Sequence, residues 1–116
     1  MASWIEISKT VEMEDQTMKA VSVGGREIVL ARVADTYYAA ENRCPHMGGR
    51  LSKGTLAGTI ITCPLHGSQF DLTSGEVIRW LKGSGLLSKI GKTLKSTRPL
   101  TTYQIKVEGD RVLIEI

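Results

Sequence analysis

CPHMGG (Cys44–Gly49) and CPLHGSQFD (Cys63–Asp71) decide how this sequence is read. The chain holds two Cys and two His, and all four fall inside these stretches, as Cys44-Pro45-His46 and Cys63-Pro64-Leu65-His66. Sixteen residues separate His46 from Cys63. Each stretch offers one soft thiolate and one imidazole. Two cysteines in a chain without a secretory signal are a poor prospect for a structural disulfide. As metal ligands they would take the neighbouring histidines as partners. A tetrahedral Cys₂His₂ zinc site uses the same donors. In zinc fingers, however, the two Cys pair and the two His pair, whereas here each pair is mixed.

Outward from the two stretches the pattern is β. Residues 4–7, 20–23, 27–33 and 37–40 are short runs rich in β-branched and aromatic residues. Gly24-Gly25 separates the second run from the third as a hairpin turn does, and Ala34-Asp35 precedes the fourth. Residues 59–62 continue the pattern. Residues 103–107 and 112–116 alternate around Gly109-Asp110, which predicts a closing hairpin with one strand on each side. Short strands at this spacing indicate an antiparallel barrel or sandwich. Residues 43–54 and 63–68, rich in Gly and Pro, then stand as two loops on a β scaffold. Trp4, Trp80 and Phe70 are expected in the core.

With 116 residues the chain is expected to form one domain with a modest core. No stretch approaches the roughly 20 apolar residues of a membrane span, so no stable membrane insertion is expected. MASWIEISKT lacks the basic and apolar regions of a signal peptide, so a cytoplasmic location is expected. The net charge is +3, yet Arg79, Lys82, Lys89, Lys92, Lys95 and Arg98 follow one another with no acid between them. One basic segment in a chain otherwise net acidic argues against a nucleic-acid surface over the whole domain. Within it, Leu86, Leu87, Ile90 and Leu94 fall on one helical quadrant with Lys89, Lys92 and Lys95 opposite. A short amphipathic helix is expected there, its basic face either solvated or docked on an acidic partner.

The paired motifs, C-x-H and C-x-x-H about sixteen residues apart, resemble the cluster-binding loops of Rieske proteins. Gly48, Gly54, Pro64, Gly67 and the Phe70-Asp71 pair match as well, and the resemblance runs along nearly the whole chain. It implies an all-β Rieske fold across residues 1–116. A base of antiparallel sheets would carry an inserted cluster-binding unit at about 42–71, and residues 81–99 stand out as a longer link than compact members have. It implies one [2Fe–2S] cluster, with Cys44 and Cys63 on one iron and His46 and His66 on the other. Gly49, Gly67 and Ser68 would line it. Such a cluster is neutral when oxidised, where a four-thiolate cluster carries two negative charges. Reduction is correspondingly easier, at roughly −150 to +300 mV against about −400 mV for plant-type ferredoxins.

High-potential Rieske proteins tie their loops with a disulfide, and the matching positions here are Gly49 and Leu65. Ser68 stands at one hydrogen-bonding hydroxyl position of that class, but Phe70 replaces the other, so the lower part of the range is expected. No histidine is left for a mononuclear iron site or a catalytic base, so the chain is read as a carrier, not an enzyme. It is similar to the ferredoxin components of bacterial ring-hydroxylating oxygenase systems, which implies an NAD(P)H-oxidising flavoprotein reductase as donor and a terminal oxygenase as acceptor. An electron-transfer subunit of a larger complex and a non-redox zinc module are the alternatives.

Overall fold

Ile28, Val29, Leu30 and Ala31 form an unbroken apolar run, and all four are fully buried. Successive side chains of a strand point to opposite faces, so such a run needs cover on both sides. In the computed structural model it has that cover. Ile28 and Leu30 pack with Met13, Val23, Tyr37, Ala39, Val112 and Ile114. Val29 and Ala31 pack with Ala40, Cys44, Leu51, Ile61, Cys63, Phe70, Leu72 and Leu100. The strand carrying the run therefore belongs to a middle layer between two hydrophobic cores.

The structure describes residues 3–45, 49–65, 67–79 and 99–116. Among the described residues, eleven strands form three antiparallel sheets. The middle sheet joins β2 (Thr17–Val23), β3 (Arg26–Val33), β4 (Thr36–Glu41) and β9 (Thr102–Tyr103). One outer sheet joins β1 (Trp4–Lys9), β11 (Arg111–Glu115) and β10 (Ile105–Glu108). The other runs through β5 (Thr55–Ala57), β6 (Ile60–Thr62), β7 (Gln69–Asp71) and β8 (Val77–Arg79). It seats on the middle sheet through the cross-strand pair Ile61 and Phe70, both fully buried. Burial of each such side chain contributes about 1.5–3 kcal/mol.

The expected all-β antiparallel architecture is present, with two local corrections. Residues 103–107 do not form one strand. Tyr103 pairs with Ala39 of the middle sheet, whereas Ile105 pairs with Ile114 of the outer one. The chain changes sheets at Gln104, whose carbonyl accepts from Glu115 N–H at 3.0 Å. The Tyr103 hydroxyl fixes this corner, donating to the Glu41 carboxylate and accepting from Arg26 at 3.2 Å. Burial is the first cause that pushes this phenol above its usual range, with the Glu41 contact adding to it.

Trp4 is the second correction. It is 38% exposed, and Lys106 Nζ stands 4.4 Å from its ring centroid. Trp4 pairs with Glu115 at the start of β1, where the adjoining Ile5 is exposed as well, so this end of the strand lies outside the core on both faces. Phe70 is in the core as expected. Trp80 and the expected amphipathic helix lie outside the described residues. Among the described residues no helix is long and apolar enough to cross a membrane.

Candidate metal centre

The first loop leaves β4 at Asn42, which is 2% exposed and fully used. Its backbone N–H donates to Glu27 O at 3.0 Å. Its side-chain amide donates to Glu27 Oε1 at 2.7 Å and to Ser52 Oγ at 2.9 Å. The amide oxygen accepts from Ser52 N–H at 2.6 Å. One buried amide thus ties both ends of the loop to β3. Above it, Cys44 N–H donates to Gly49 O at 2.8 Å, and a 3₁₀ turn at Leu51–Lys53 brings the chain back toward β5. Cys44 is 2% exposed, among the apolar side chains of the second core.

The second loop joins β6 to β7. Cys63 N–H donates to Ser68 O at 2.8 Å, and Gly67 N–H returns to Cys63 O at 3.1 Å. Gly67 closes this turn at φ +74°, a conformation that favours glycine. Arg79, at the end of β8, reaches across with Nε at 3.1 Å and Nη2 at 3.0 Å from Gly67 O. Cys63 is 2% exposed, and Ser68 and Phe70 are fully buried. Beyond β7, the Asp71 carboxylate accepts from Thr73 N–H at 2.9 Å and from its hydroxyl at 2.8 Å. These bonds, the backbone one first, hold it below the usual carboxylate range.

The loops meet at two points. At the base, a Cβ on residue 54 would stand 1.8 Å from Thr62 O, a distance only glycine permits. Near the top, a Cβ on residue 49 would stand 2.9 Å from Cys63 Sγ and 2.9 Å from Leu65 Cδ1. The missing side chain of Gly49 makes room for a sulfur atom of the opposite loop. Gly49 and Leu65, where the disulfide-bearing class has its cysteines, therefore touch through apolar contact.

Two buried thiols that are not joined in a disulfide, one at the start of each loop, in an apolar setting with a glycine cradle, fit a metal centre that takes soft donors. Of the expected set, Cys44 and Cys63 are placed on adjoining loops, and Gly49, Gly67 and Ser68 frame them. His46 and His66 lie outside the described residues, as does Gly48. Two contributors escaped the sequence reading. Asn42 carries no motif signal, and its part depends on Glu27 and Ser52, which are remote in sequence. Arg79 was counted with the basic segment, but in the structure its guanidinium is engaged with the second loop.

The comparisons with known proteins point the same way. A family model described as Rieske [2Fe–2S] domain matches residues 3–88. The ferredoxin component of the naphthalene 1,2-dioxygenase system of Pseudomonas aeruginosa is 32% identical over 113 residues, covering 97% of this chain and 95% of that protein. A chain from a complex of reduced oxygenase and oxidised ferredoxin in carbazole 1,9a-dioxygenase superposes with a TM-score of 0.76 at 29% identity, covering 96% of this chain and 91% of that one. The carbazole 1,9a-dioxygenase ferredoxin from Nocardioides aromaticivorans IC177 gives 0.79 at 24% identity, covering 97% of this chain and 96% of that one, a likeness of fold.

Proposed function

This chain belongs to the Rieske [2Fe–2S] domain family, and on that premise we propose that it is the one-electron carrier of a multicomponent oxygenase system. A [2Fe–2S] cluster would be held by Cys44 and Cys63 on one iron and by His46 and His66 on the other. Its electron would come from an NAD(P)H-oxidising flavoprotein reductase and pass to a terminal oxygenase. The supporting observation is the pair of buried cysteines, not joined in a disulfide, on two touching loops in a chain 32% identical along 97% of its length to a dioxygenase ferredoxin component.

The cluster would supply a single site that gains and loses one electron with no bond made or broken on substrate. The residues of the chain keep that site in place. Cys44 and Cys63 are shut away from water, which would protect thiolate ligands from exchange and oxidation. The buried Asn42 amide and the Arg79 guanidinium hold the loops that carry the proposed ligands, limiting rearrangement between oxidation states. Leu65, 58% exposed and in contact with the Gly49 position, offers an apolar tip for contact with a partner.

With both histidines assigned to iron, no imidazole is left for a mononuclear oxygenase site or for acid–base work. The proposed role is therefore a carrier that acts in the cytoplasm and catalyses nothing alone. Lys82, Lys89, Lys92, Lys95 and Arg98 are the cations proposed to face an acidic partner.

The test is a visible absorption spectrum of the purified protein, followed by EPR of the dithionite-reduced sample. A red-brown protein with a rhombic signal averaging below the free-electron value is expected. Electron delivery to a dioxygenase oxygenase component should then depend on adding this chain. A colourless, EPR-silent protein with stoichiometric zinc would overturn the reading and leave the fold intact.

A further inference from the structure

Arg79 ends the last strand of the sheet beneath the second loop and directs two N–H groups at one neutral acceptor, Gly67 O, at 3.1 and 3.0 Å. Gly67 lies between His66 and Ser68 and is itself tied to Cys63 O at 3.1 Å. The guanidinium is half-buried, and its planar fork is fixed by two bonds rather than one.

Among the described residues this group has no ion-pair partner. All twelve Asp and Glu of the chain lie among the described residues. None of their carboxylate oxygens lies within 4.0 Å of an Arg79 guanidinium nitrogen. Nor does the sequence from Trp80 to Arg98 contain a single acid. A salt bridge would have neutralised the cation, whereas a peptide carbonyl holds it in place and leaves its field intact.

We infer that Arg79 is a positioning residue that raises the reduction potential of the centre by holding an uncompensated positive charge against the second loop. The inference rests on the cluster assignment above. A centre that is neutral when oxidised gains a negative charge on reduction, so a fixed cation beside its loop favours the reduced form. At a half-buried site with partial screening, one charge removed is worth roughly a three- to tenfold change in the reduced-to-oxidised ratio.

The test is redox titration, followed by visible absorption, of the cluster-loaded protein and of its Arg79→Lys, Arg79→Gln and Arg79→Glu variants. EPR of each reduced sample serves as the control for geometry. At a fixed ambient potential the reduced-to-oxidised ratio is expected to fall in the order Arg, Lys, Gln, Glu. Lys should stay within about threefold of the parent, and Gln should drop by about three- to tenfold. The EPR g-values of Lys and Gln should match the parent. Gln and Glu variants with the parent's potential would overturn the inference and leave the cluster reading standing. A shift common to all three variants with altered g-values would also overturn it, since it reports loop geometry instead of charge. An unmutated protein without a visible-absorbing cluster would overturn the functional reading itself, and this inference with it.

Discussion

The two loops of the candidate centre are held by opposite means. A buried, neutral amide closes the first, with Asn42 bonded to Glu27 and Ser52. The second is clamped from outside by a half-buried cation, Arg79 on Gly67 O. A buried amide with satisfied partners fixes geometry and adds no charge of its own, although here one acceptor is the Glu27 carboxylate, 3.7 Å from Arg50 Nε. An arginine bound through two N–H groups to one carbonyl fixes geometry as well and brings a charge. The pair teaches that loop position and electrostatic environment can be set by different residues in one small site.

The largest effect expected is one the loops share. Cys44→Ala and Cys63→Ala should each abolish visible absorbance, because a thiolate from either loop is needed whatever holds that loop; absorption per mole of protein checks this. A variant that retained the full spectrum would break the symmetry at its root. Gly54→Ala comes next, since its Cβ would fall 1.8 Å from Thr62 O where the loop bases meet. A loss of about 3 kcal/mol or more is expected in urea unfolding, from overpacking against backbone that cannot give.

The loops should then separate. Asn42→Ala leaves Ser52 N–H without its acceptor and Glu27 Oε1 without its buried donor, and should cost about 1–3 kcal/mol, with a smaller salt dependence than Arg79→Gln. Urea midpoints at two ionic strengths provide the check. Equal salt sensitivity of Asn42→Ala and Arg79→Gln would erase the distinction between the two clamps.

The smallest effect belongs to Asp71, past the second loop. Its folded pKa lies below the unfolded value of about 3.9. Its stabilisation is therefore present above about pH 4 and lost as pH falls through the folded value. Asp71→Asn should cost less than about 1 kcal/mol at pH 7, because the group is largely solvated. The gap between the two proteins should close in acid, as thermal melts across pH would record.

How far these features could be read from sequence follows their chemistry. The rare donors Cys44 and Cys63 were legible because every Cys and His of the chain falls in two mixed pairs. Residues 28–31 were legible as a strand because their apolar run has flanking turns. The break at Gln104 was not legible, since Tyr103 and the strand after it alternate in a way that fits one strand as well as two. Strands β5, β7 and β8 span only three residues each, too few for a period to register. Trp4 was expected in the core from its size, but residue type says nothing about which sheet face has a covering layer. Asn42 and Arg79 depend on partners distant in sequence, which spacing along the chain does not encode.

The central claim is mixed ligation, one thiolate and one imidazole from each loop. Pulsed EPR of the dithionite-reduced protein tests it most directly, by resolving hyperfine coupling from directly bound nitrogen. Two strongly coupled imidazole nitrogens are expected, with His46→Ala and His66→Ala unable to assemble the same centre. A paramagnetic cluster without strong nitrogen coupling, or with the same signal after either histidine is replaced, would contradict the account.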